Sequence, residues 1–327
     1  MPPKLTLTTA FTQWVADPVM MGLVVMLLAG YISGVWRVRR HGGTWAAGRV
    51  WAFCFVGAGG LVYATMGWLG VYQGYLFYAR AGQTVMLVLL VPLFLAMGRP
   101  ITLAITAFPA LDRPVRAVIG GRVARVLTFP VITTLALVAV PMVMYFTTWY
   151  VHVYSSGAVR ELTYVVLMVP GFVFFWTLLR VDPVPKAYSY GVAMWITAAE
   201  VVGDAFFGLA IIADTGLLAG SYYRGLPGGF GADLASKQVI GGGVIWIIGD
   251  MVGLPFLAAQ FIQLMREDRD ESEAIDAELD AREAALTAAS TAAVGEAAVR
   301  DPAAPADALD PQKPWWEKDP RFTERFR

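Results

Sequence analysis

The chain has 327 residues, 57% of them hydrophobic and only 15% charged, with a mean hydropathy of +0.58. An ordinary soluble domain is about 45–50% apolar and about 25% charged, so the composition excludes that class and indicates an integral membrane protein. Lysine plus arginine balance aspartate plus glutamate at 25 each, so net charge names no partner, and the single cysteine, Cys54, excludes an intramolecular disulfide.

Residues 1–18 carry one lysine, several polar residues and Trp14, with no cleavage-type site. They read as an extracytoplasmic segment rather than a signal peptide, and the first apolar run is expected to stay as a span. A hydrocarbon core takes about 20 apolar helical residues. Seven stretches qualify, near 19–36, 49–70, 82–97, 127–149, 162–180, 189–213 and 239–264. All are expected to be helices, because a lipid-exposed sheet edge leaves backbone groups unsatisfied. The predicted fold is therefore an all-α integral membrane domain of about seven helices over 19–265. Pro92, Pro141, Pro170 and glycines 241–243 mark kinks or close packing.

Arginines cluster on alternate loops: Arg37, Arg39, Arg40 and Arg49; Arg99, Arg113, Arg116, Arg122 and Arg125; Arg180 with Lys186. The other side holds Lys4, Arg80, Arg160, Arg224 and Lys237. This bias predicts the N-terminus outside and the C-terminus in the cytoplasm. Trp14, Trp68, Trp149 and Tyr150 are then expected in the outer aromatic belt.

Beyond 265 the composition changes. Residues 266–283 hold nine acids against three arginines, and an alanine-rich stretch to 299 favours a soluble helix. Residues 300–327 read as a disordered tail that ends in PWWEKDPRFTERFR. Trp315, Trp316 and Phe322 have no core of their own there and suggest a docking peptide.

Ionisable groups inside spans are costly and so mark sites of interest. Glu200 and Asp204 lie four apart on one helix, Asp250 lies in the last span, and Arg80, Gln83 and Thr84 open the third. Together they predict a polar intramembrane pocket, or else an ion pair that locks helices. Met66, Met86, Met142, Met144 and Met168 fall in the outer halves of their spans. Thioethers suit Cu(I), and the same residues are equally good packing. His41 and His152 are the only histidines. The sequence has no GxSxG elbow, no phosphate-cradling loop and no nucleic-acid motif, and the chain is not expected to be an enzyme.

The run LFYARAGQTVMLVLLVPLFLAMGRPITLAI at 76–105 resembles the third-span signature of the CtaG family of cytochrome c oxidase assembly factors. The likeness continues in order through YFTTWY (145–150), GFVFFWTLLRVDPVP (171–185), DAFFGLAI (204–211) and KQVIGGGVIWIIGD (237–250), over most of 49–265. It implies a plasma-membrane protein that helps place copper in a haem–copper oxidase, with oxidase subunits and the bilayer as partners. In the family, histidines stand at the positions of Arg80, Thr84 and Asp204, and at or near Tyr164 and Val166. All are absent here, so the chain reads as a divergent member. An arginine cannot ligate a metal, so the resemblance combined with these changes suggests an Arg80–Asp204 ion pair and a scaffold role. Copper handling by Met142, Met144 and Asp204, or a proton relay through Glu200, Asp204 and Asp250, are the alternatives.

Overall fold

The computed structural model describes residues 2–300 apart from 187 and 228–229, and they contain no strand. A short helix, α1 (Leu7–Thr12), opens on a Thr6–Thr9 capping box. Helix α2 (Pro18–Arg40) is capped by the Asp17 carboxylate and closes on Arg37, Arg39 and Arg40. Helices α3 (Ala47–Tyr72) and α4 (Phe77–Ala107) follow. Each contains a π-helical stretch, Ala52–Ala58 and Met86–Leu90 respectively. Two short helices, α5 (Asp112–Gly120) and α6 (Arg122–Leu127), lead to α7 (Pro130–Phe146) and α8 (Trp149–Ser155). Then come α9 (Gly157–Leu179), α10 (Tyr190–Ala213), the single turn α11 (Gly220–Arg224) and α12 (Leu234–Arg300).

Six helices are long and apolar enough to cross a membrane, and the bent pair α7–α8 makes up to seven. The protein is an all-α membrane protein. The expected fourth span at 127–149 differs in detail. Its helix stops at Phe146, Thr147 is extended (φ −125°, ψ 173°), and α8 leaves at 72°. The bend turns α8 inward. The Tyr150 and Tyr223 hydroxyls share a hydrogen bond of 2.6 Å, and the Tyr154 hydroxyl donates to the Gln73 carbonyl at 2.9 Å. Tyr150, expected in an outer aromatic belt, is therefore 1% exposed and belongs to the core.

Helix α4 is the hub. It packs on α2, α3 and α9, and Gly241 of α12 lies against the Phe77 ring. The matched motifs hold this packing together. Arg99, left-handed at φ 54°, turns the chain into Pro100, and Asp182 caps the helical segment that follows. Its carboxylate accepts from the backbone nitrogens of Ile101 (3.2 Å) and Thr102 (2.8 Å) and from the Thr102 hydroxyl (2.5 Å). Carboxylates at helix N-termini are favoured because the first amides lack intrahelical acceptors. Gln238 ties α12 to the end of α10, donating to the carbonyls of Ile211 and Asp214 and accepting from the Leu218 amide.

One compact unit spans Met1–Phe261 and a second Ile262–Arg327. In the second, Arg269 and Glu273 pair at 3.1 Å across one helical turn. Trp315, Trp316 and Phe322, read as a docking peptide, lie outside the described residues.

Candidate functional site

Helix α4 begins at Phe77, so Arg80 lies within its first turns rather than at a solvated mouth, and its side chain is wholly buried. One guanidinium nitrogen, Nη1, donates to the Gln83 Oε1 at 2.6 Å and the Gln73 Oε1 at 3.1 Å. Nη2 donates to the Met144 sulfur at 3.0 Å, and Nε finds no acceptor among the described residues. Tyrosines bond the residues around the charge: Tyr164 accepts from Gln73 Nε2 at 2.6 Å, and Tyr154 donates to the Gln73 carbonyl at 2.9 Å.

The two glutamines are themselves fixed. Gln83 Nε2 donates to the Ala64 carbonyl at 2.8 Å, and Gln73 Nε2 to the Gly70 carbonyl and the Tyr164 hydroxyl. Their oxygens are thereby turned toward Arg80. Thr84 donates back to the Arg80 carbonyl, and its hydroxyl lies 3.2 Å from that of Tyr145. The sequence placed Arg80, Gln83 and Thr84 together, and the structure does the same. Gln73 and Tyr164 carry no signal of their own in the sequence. For Tyr145, Tyr150 and Tyr154 the aromatic spacing in YFTTWYVHVY is a signal, and it reads equally well as a membrane belt.

The carboxylates occupy a separate place. Glu200 and Asp204 are buried on α10 against the glycines of α12. A Cβ at Gly249 would come within 2.6 Å of the Asp204 Oδ2, and one at Gly253 within 3.3 Å of the Glu200 Oε2. Asp250 is half-buried, and its Oδ1 meets no donor among the described residues. The expected Arg80–Asp204 ion pair is not formed, since the partners of Arg80 are two glutamines and a methionine. Phe207, one turn from Asp204, stands edge-on to Tyr145 at 5.6 Å.

The thioether candidates also separate. Met144 is fully buried with its sulfur on Arg80, while Met142 is half-buried against the core. Two residues apart on one helix, they face different directions. Asp204 is turned to Gly249. Among the described residues no group of three His, Cys, Asp or Glu side chains converges as a metal site. His152 and His41 are exposed, and each ring nitrogen Nδ1 bonds a carbonyl of its own helix.

Known proteins bear on this arrangement in three ways. The chain is 26% identical to the uncharacterized protein Mb0105 of Mycobacterium bovis over 82% of its length and 42% of that protein's. It is 26% identical to the uncharacterized protein ML1998 of Mycobacterium leprae over 79% of its length and 40% of that protein's. The chain thus spans about two-fifths of the length of these curated relatives. No solved structure matches it. The model of the family described as cytochrome c oxidase caa3 assembly factor (Caa3_CtaG) matches residues 29–267, well over half of the chain and including every residue of the Arg80 and Asp204 clusters; the chain belongs to that family.

Proposed function

We propose that the chain serves the assembly of a haem–copper cytochrome c oxidase as a membrane scaffold that contacts oxidase subunits, and not as the carrier of the copper itself. The reading places the arginine-rich loops in the cytoplasm and the Arg80 end of the bundle outside, by the bias of lysine and arginine over short loops. It assigns the chain no catalysis of its own.

The observation that carries the scaffold reading is the buried Arg80 guanidinium with the Met144 sulfur 3.0 Å away. A permanent positive charge at that distance opposes a copper ion on the same sulfur. It also engages the lone pair that a soft metal would need. The family resemblance puts a histidine at Arg80, so the substitution replaces a metal donor with a cation.

Copper binding tests this directly. Purified protein titrated with Cu(I) against a chromophoric competitor is expected to retain no more copper than the detergent alone. Stoichiometric binding that disappears in Met142→Leu/Met144→Leu would restore the copper-carrier reading and overturn the scaffold one.

A further inference from the structure

Arg80 offers one side of its guanidinium to the protein and leaves the other nearly unused. Its two oxygen acceptors among the described residues, on Gln73 and Gln83, both lie on Nη1. The remaining edge comprises Nε and Nη2, whose two parallel N–H groups match the two oxygens of a carboxylate. On that edge Nε meets no acceptor among the described residues, and Nη2 meets only a thioether. A thioether is a weak acceptor. A wholly buried cation without a countercharge is expensive, and the two buried carboxylates of α10, Glu200 and Asp204, lie against glycines of α12.

We propose that the Nε/Nη2 edge of Arg80 is a receptor for a carboxylate carried on an apolar body. The one group on that edge, Met144, is unbranched and has three rotatable bonds, so it can swing aside without moving a helix. The neighbours are aromatic: Tyr164 bonds Gln73, Tyr154 bonds the Gln73 carbonyl, Tyr145 lies on Thr84, and Phe77 packs on both Tyr145 and Tyr150. Such neighbours suit an apolar ligand body, and the Tyr164 hydroxyl, which accepts from Gln73, keeps its proton to donate to an acid group.

Two short elements stand at the same end of the bundle, the broken-off helix α8 and the single turn α11, and phenol hydrogen bonds fasten them. These are Tyr150 to Tyr223, Tyr154 to the Gln73 carbonyl, and Tyr222 to the Gly74 carbonyl. Neither element continues a spanning helix without a break. Thr147 is extended before α8, and Leu217 and Ala219 are left-handed before α11.

The test uses the full chain in phosphatidylcholine nanodiscs and follows thermal unfolding by tryptophan fluorescence. Benzoate probes a small acid from water and oleate an acid from the bilayer, with benzyl alcohol and methyl oleate as uncharged counterparts. A saturable rise of the unfolding midpoint with an acid, absent with its uncharged counterpart and lost in Arg80→Gln, is expected. A response to oleate alone assigns the bilayer as the source, and a response to benzoate assigns the aqueous phase. Arg80→Lys keeps the charge but not the fork, so its affinity should fall about tenfold. It decides the matter if Arg80→Gln does not fold. Equal responses in wild type and Arg80→Lys, equal responses to acid and uncharged probe, or no response to either acid would overturn the proposal. The readout does not depend on oxidase activity, so it stands or falls apart from the assembly role.

Discussion

Alanine at Gly171 is expected to lower the stability of the bundle by about 3 kcal/mol, near the upper end of overpacking costs. Gly171 lies where α9 crosses the π-helical stretch of α4. A Cβ built there overlaps the Val88 carbonyl oxygen and comes within 2.9 Å of the Pro92 ring. Neither neighbour is the loose end of a flexible side chain, so relief requires the two helices to part. Small residues at helix crossings in lipid allow the close approach on which association there depends. Gly30→Ala is the control. A Cβ at Gly30 meets nothing within 4 Å, and alanine is the better helix former. Unfolding in mixed micelles with increasing dodecyl sulfate measures both. The same midpoint for the two variants would refute the crossing geometry.

Gln83→Leu is expected to cost about 3 kcal/mol, because it strips a buried cation of its closest acceptor and leaves a buried carbonyl without its donor. The bonds lost are Arg80 Nη1 to Gln83 Oε1 at 2.6 Å and Gln83 Nε2 to the Ala64 carbonyl at 2.8 Å. Arg80→Met placed in the Gln83→Leu background should recover part of that loss, about 1 kcal/mol or more, by removing the stranded charge. Two residues in one network are strongly non-additive, and the same unfolding assay reads the coupling. Simple addition of the two single costs would show that Gln83 does not hold the Arg80 charge.

The spans were readable because each is a long apolar run that only a helix can satisfy in lipid. The break after Phe146 was not. Residues 127–149 are apolar apart from five threonines, and the Thr147–Thr148 pair carries no breaker signal comparable to glycine or proline. The bend is set instead by where Tyr150 and Tyr154 find partners in distant segments, Tyr223 and the Gln73 carbonyl. Arg80 stands out in the sequence as an anomaly, but its partners do not. Matching charge to charge made Asp204 the natural choice. The fold satisfies the arginine with neutral groups, one of which, Gln73, stands before α4 in a stretch without any motif or charge to mark it. The motifs around Gly98–Pro100 and Asp182 were recognisable as patterns. Their role as a helix cap between two distant loops emerged only from the hydrogen bonds of the Asp182 carboxylate.

The most direct measurement of the assembly role is a reduced-minus-oxidised spectrum, with oxidase activity, of membranes from a strain lacking this gene, grown with and without added copper. The account predicts either loss of the a-type haem signal or a normal haem signal with lost activity, restored by the wild-type gene and not by copper. An unchanged spectrum with normal activity would contradict a part in oxidase assembly, and rescue by copper alone would contradict the scaffold reading of that part.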